Sequence, residues 1–222
     1  MAGLSWGGTV VQELYRHHPR LVATLIFVDT YAGWKGSLPP EEVAARVAGV
    51  RQRLAAPAEE FVPTPSGLFA SDPPAEFLPV PEEMAAAVRR ESLRTQLSVM
   101  AEADQRDLLP RIAVPTLLIW GELDARSPLS VARQFERAIP DTKLVVVPGA
   151  GHLSNLEQPE QFNEAVREFC RARSSPWIGG GGASSTPRAG CTAGETALKP
   201  ETLAEDQDLV HAVATLWPVI AS

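Results

Sequence analysis

The stretch that most constrains the fold of this chain is its first motif, Gly3-Leu4-Ser5-Trp6-Gly7-Gly8, in which a serine stands two residues from a glycine on either side. That spacing suits an abrupt turn from a strand into a helix. The serine sits at the apex in a strained backbone conformation, and the flanking glycines let strand and helix approach closely. From Thr9 to Arg16 apolar and polar residues alternate at helical spacing, and Pro19 supplies a stop. A serine hydroxyl is a poor nucleophile at neutral pH, so a chain that uses one must expose the oxygen and bring a base beside it.

The rest of the first 173 residues supplies candidates for that base. Residues 23–30, Ala-Thr-Leu-Ile-Phe-Val-Asp-Thr, read as the strand after the elbow helix. Residues 114–124, Val-Pro-Thr-Leu-Leu-Ile-Trp-Gly-Glu-Leu-Asp, read as a buried parallel strand that ends in glycine and acid. A helix follows over 128–139, with Val131, Phe135 and Ala138 spaced for one face, and Lys143 to Pro148 reads as a further buried strand. It leads into Gly149-Ala150-Gly151-His152, which delivers an imidazole on a glycine-rich loop. Asp124 and His152 thus both fall at carboxyl ends of strands, the edge where active-site crevices of open α/β sheets form. Asp29, ending the earlier strand, is a rival acid. Strand position leaves both open, and the Gly-x-x-Asp context after Leu-Leu-Ile-Trp favours Asp124 by its resemblance to a known acid motif.

Gly-Leu-Ser-Trp-Gly-Gly, Trp-Gly-Glu-Leu-Asp and Gly-Ala-Gly-His-Leu-Ser-Asn-Leu-Glu-Gln-Pro together resemble the α/β-hydrolase superfamily over residues 1–173. The likeness is to its branch of small-substrate esterases, enol-lactonases and carbon-carbon bond hydrolases. The resemblance implies an α/β fold in which parallel strands are flanked by helices. It also implies hydrolysis of small esters, lactones or related acyl compounds through an acyl-serine, without metal or organic cofactor. Ser5 would attack the acyl carbon, His152 would take and return the proton, Asp124 would orient the imidazole, and the Trp6 backbone N–H would serve the oxyanion hole.

Such folds carry further strands before the elbow, and only Met1 and Ala2 precede Gly3 here. The chain therefore reads as the C-terminal portion of the fold. The absent strands and crossovers amount to on the order of 80 residues at least, including the loop that usually offers a second oxyanion donor. Three explanations stand open: a shortened reading frame, a complementing N-terminal segment or second copy of the chain, and a non-catalytic fragment or binding module.

Between residues 31 and 111 the strand-helix alternation stops. Val43, Val47, Val50 and Leu54 mark a helix over 40–54, and Met84, Val88, Leu97 and Met100 mark another over 81–103. The resemblance makes this insertion a helical cap over the pocket. Trp34, Phe61, Phe69, Phe77 and Met100 are candidates to line it, with packing against the core the favoured reading for each. A last helix begins at 156–159 with Phe162, Val166 and Phe169 on one face, and Cys170 is read as packed upon it. From residue 174 the Ser/Gly/Pro-rich composition predicts a disordered tail to residue 222, with a short amphipathic helix over 199–220 that carries His211.

A net charge of −7 argues against nucleic acid as a partner. Arg89-Arg90 reads as a solvated helix face, and His17 and His18 as residues that favour a helix's negative end. Cys170 and Cys191 have no metal-like or redox-motif spacing. No apolar run reaches membrane-spanning length, so no membrane partner is expected and cytoplasm is the expected location.

Overall fold

The computed structural model describes residues 1–56, 67–71, 79, 83 and 89–174. The predictions for Phe61, Phe77, Met84, Val88, Cys191, His211 and the tail beyond 174 lie outside these residues. Four strands, β1 (Ala2–Leu4), β2 (Leu25–Val28), β3 (Thr116–Gly121) and β4 (Thr142–Val147), form a parallel sheet in the order β1-β2-β3-β4. The register pairs Gly3 with Phe27, Phe27 with Leu118, and Leu118 with Leu144. Because all four strands run the same way, their carboxyl ends, and the loops carrying Ser5, Asp29, Asp124 and His152, share one edge.

Strand periodicity builds two cores. Leu25, Phe27, Leu118 and Trp120 point to one face, and Ile26, Val28, Leu117 and Ile119 to the other. On the first face lie α1 (Trp6–His17), α2 (Trp34–Ser37), α3 (Pro40–Ala55), α4 (Arg90–Glu102) and α5 (Leu129–Ala138). Phe135 anchors that face, meeting Phe27 edge-on at 5.7 Å between ring centroids and Trp120 at 5.9 Å. On the second face, α6 (Ser154–Glu157) and α7 (Pro159–Ser174) bring Leu156, Phe162, Ala165 and Phe169 against the sheet. Among the described residues no helix is long and apolar enough to cross a membrane.

Four sequence readings need correction. The sequence predicts a buried β4, yet only Val147 is fully so, because among the described residues β4 ends the strand order and has a sheet neighbour on one side only. Cys170 lies in α7 but is exposed, since the face that packs is set by Phe162, Ala165 and Phe169. The last helix is divided in two, a single turn at α6 and then α7 from Pro159, whose ring cannot continue a helix begun five residues earlier. Arg90 is half-buried rather than solvated and donates from Nη2 to the Ala56 carbonyl at 2.8 Å, tying α4 to the end of α3.

Candidate active site

Ser5 stands between β1 and α1 with φ 51° and ψ −119°, in the left-handed half of backbone space that β-carbon sterics disfavour. Three contacts hold it there. Its N–H donates to the Val28 carbonyl at 2.9 Å, and its carbonyl accepts from the Gly8 N–H at 3.0 Å and from the Thr30 hydroxyl at 2.5 Å. Gly3 is required by close approach, because a β-carbon there would stand 2.5 Å from the Gly7 carbonyl oxygen. Trp6 is the first helical residue, so its N–H points from the helix N-terminus with no intrahelical acceptor.

The imidazole arrives from the other end of the chain. His152 Nε2 lies 2.9 Å from Ser5 Oγ, and Nδ1 lies 2.8 Å from Asp124 Oδ2. Asp124 Oδ1 accepts the backbone N–H groups of Arg126 at 2.7 Å and Ser127 at 2.9 Å, which leaves Oδ2 for the imidazole. A carboxylate on Nδ1 fixes the tautomer with the proton on Nδ1 and the lone pair of Nε2 facing the serine. His152 is 1% exposed, and that burial pushes its pKa below the ordinary histidine value. Asp124 pulls in the opposite direction, while the Arg126 and Arg46 charges add to the depression. The imidazole is therefore neutral, and able to accept a proton, at neutral pH.

The loop carrying His152 is clamped from three sides. Glu157 accepts the Gly151 N–H at 2.6 Å and the Ala70 N–H at 2.8 Å, and the Leu153 N–H donates to the Leu68 carbonyl at 3.0 Å. At Gly121 the end of β3 passes so close to the carbonyls of Ala150 and Gly151 that a β-carbon has no room.

Asp29 does not meet the imidazole. Fully buried, with φ 45°, it accepts the Gly121 N–H on Oδ1 at 2.8 Å and the Ser154 hydroxyl on Oδ2 at 2.7 Å. It therefore binds the end of β2 to the end of β3 and to the turn just beyond His152. Burial, reinforced by the nearby Asp124 charge, raises its pKa well above the usual carboxylate value.

Several positioning residues were not read from the sequence. Thr30 supports Ser5, Ser127 donates from its hydroxyl to the Thr30 carbonyl at 2.6 Å, and Ser154 meets Asp29. Only adjacency marks them: Thr30 follows Asp29, Ser127 lies three residues past Asp124, and Ser154 two past His152. A second group surrounds Tyr31, whose hydroxyl donates to the Arg126 carbonyl while Arg46 donates to the Tyr31 oxygen at 3.0 Å. Of the candidates to line the pocket, Trp34 and Met100 are buried in the first core, and Phe69 packs on the second.

The sequence model of a family described as "Alpha/beta hydrolase family" matches residues 1–165. A pimeloyl-[acyl-carrier protein] methyl ester esterase of Vibrio vulnificus (strain YJ016) is 28% identical over 178 residues, spanning 75% of this chain and 68% of that protein. Among solved structures, a malate-bound thermophilic esterase from Thermogutta terrifontis is 32% identical with a TM-score of 0.60, covering 77% of this chain and 64% of its own. An esterase from Exiguobacterium antarcticum shares the fold at 22% identity and TM-score 0.64, over 77% of this chain and 65% of that one. This chain thus spans about two thirds of the length of these relatives.

Proposed function

The chain belongs to the alpha/beta hydrolase family, and on that premise we propose that it hydrolyses small carboxylic esters or lactones through an acyl-serine intermediate. The observation that carries this reading is the unbroken relay from Ser5 Oγ through His152 to Asp124, with hydrogen-bond distances of 2.9 and 2.8 Å. Esterases at 28% and 32% identity support the reaction class.

In the first half-reaction Ser5 Oγ bonds to the acyl carbon while its proton passes to His152 Nε2. Asp124 offsets the positive charge that forms on the ring. Negative charge moves to the former carbonyl oxygen, where the Trp6 N–H at the start of α1 is the donor on hand, aided by the helix dipole. The tetrahedral species collapses as Nε2 returns the proton to the leaving alcohol oxygen. Water then repeats the sequence against the acyl-serine, with His152 again as base, and releases the acid and free Ser5. The substrate is a small acyl compound, and the site needs no metal or organic cofactor for these steps.

Hydrolysis of 4-nitrophenyl butanoate by the purified chain and by Ser5→Ala, with folding followed by circular dichroism, tests the reading. Turnover in the wild type and its loss in the variant are expected. Equal rates in two folded proteins would overturn it in favour of a non-catalytic binding module.

A further inference from the structure

An open-sided groove of about 260 Å³ lies between α2, α3 and the turn at 125–126, and its chemistry is one-sided. Arg46, Gly49, Val50 and Arg53 reach it from positions i, i+3, i+4 and i+7, one face of α3, while Trp34 and Arg126 close the far wall. Three guanidinium groups therefore share a small space, and no Asp or Glu is among the described residues lining it. Glu42, which pairs with Arg46, stands one turn back on α3.

Every side-chain hydrogen-bonding group lining the groove is a donor. Arg and Trp offer N–H groups and no acceptor. Two of these donors are buried and have no acceptor among the described residues: the indole Nε1–H of Trp34 and Nε–H of Arg53. Orphaned buried donors cost free energy, and like charges held together add to that cost. A carboxylate, an acceptor with two oxygens and a negative charge, relieves both. It also matches guanidinium geometry better than any neutral group. Val50, Ala125 and the Trp34 ring leave an apolar wall for methylene groups.

The groove adjoins the reaction centre through Arg126. Its backbone N–H donates to Asp124 Oδ1 at 2.7 Å, and its carbonyl accepts from Arg46 Nη2 at 2.7 Å, so two of the groove's arginines are tied to the loop that carries the acid. Resting on the hydrolase reading above, we propose that this groove seats a distal carboxylate on the acyl chain of the substrate, which is then a monoester of a dicarboxylic acid. A carboxylate on the acyl side stays bound through the acyl-serine stage, so its binding energy serves both half-reactions. The groove is too small for a whole substrate and suits a head group.

The test compares mono-4-nitrophenyl esters of succinic, glutaric and adipic acid with the neutral butanoate, pentanoate and hexanoate esters. In the wild type, kcat/KM for at least one acidic ester should exceed that of its neutral counterpart about tenfold to a hundredfold, the weight of hydrogen bonds to a charged group. The chain length at the maximum reports the reach from Ser5 to the groove. Arg53→Gln should reduce that preference about tenfold. Gly49→Leu provides a second variant, because a β-carbon at Gly49 meets nothing within 4 Å and leucine favours the helix, so the side chain fills the groove without straining α3. It should remove the preference as well. Equal kcat/KM for acidic and neutral esters at all three lengths, or a preference unchanged in both variants, overturns the proposal. If the wild type hydrolyses neither series, the hydrolase reading fails by itself. The subsite is then judged by whether glutarate raises the melting temperature of the wild type but not of Gly49→Leu; no rise in the wild type overturns it.

Discussion

The ends of β2 and β3 offer the same residue type in nearly the same place, yet the two carboxylates do different work. Asp124, beyond β3, keeps one oxygen on the N–H groups of Arg126 and Ser127 and gives the other to the imidazole. Asp29, directly after β2, gives one oxygen to the Gly121 N–H and the other to the Ser154 hydroxyl, so neither is left for a base. A carboxylate's role follows from which donors its oxygens already serve. Position at the carboxyl edge makes a residue available for catalysis, and the local donors decide whether it takes part. Asp29 gives the acid loop and the histidine loop a common anchor, which explains why a charge-bearing side chain is kept in a fully buried place.

Substitutions that preserve shape at one carboxylate and not the other should separate these roles. The largest effect is expected from Asp124→Asn, which removes the acceptor that holds the His152 proton on Nδ1. Its kcat should fall by about ten-thousandfold in ester hydrolysis while the melting temperature changes little. Comparable loss from Asp29→Asn would erase the distinction between the two residues. Asp29→Ala should act on stability, because it leaves the Gly121 N–H and the Ser154 hydroxyl buried without an acceptor, at a cost of about 2–4 kcal/mol in urea unfolding.

Asp29→Asn sharpens the comparison through pH. A carboxyl whose folded pKa is raised contributes stability that is fully present below its unfolded value and is lost as pH rises through the folded value. The wild type should therefore lose ground to Asp29→Asn from about pH 4 upward, measured as the difference in melting temperature. A difference independent of pH would mean that Asp29 is ionised in the fold with no penalty. The smallest effect concerns His152. Its depressed pKa places the acid limb of kcat/KM below the ordinary histidine value of 6.5, since the base must be neutral and activity rises as pH climbs through its pKa. An acid limb at or above 6.5 would show that the pull of Asp124 outweighs burial.

Much of the strand and helix order was legible because it rests on local patterns. The period-two alternation in Leu25-Ile26-Phe27-Val28 and Leu117-Leu118-Ile119-Trp120 sends side chains to two cores, and Pro19, Pro128 and Pro159 lie where helices end or begin. β4 misled for a physical reason: Leu-Val-Val-Val reads as buried, but its place at the end of the strand order leaves it half-covered. Cys170 misled because, one residue past Phe169, it lies about 100° round the helix from the face that Phe162, Ala165 and Phe169 pack.

The site was legible as residue types and less so as partnerships. Ser5, Asp124 and His152 stand out because each has a glycine within three residues at the end of a strand-like run, and Trp6 follows from its place after the serine. Thr30, Ser127 and Ser154 carry no such mark, being ordinary hydroxyl residues until strands pair. Nor could Trp34, Arg46, Arg53 and Arg126 be seen as one group, since they come from two helices and a distant turn.

By itself the sequence determined the parallel alternation, the strained serine turn and two carboxylates bound for one edge, because these depend on neighbours a few residues apart. Only the tertiary structure decided which carboxylate meets the imidazole and where the arginines gather. Those outcomes depend on hydrogen bonds between residues 28 to 147 positions apart along the chain, and such separations leave no local periodicity to read.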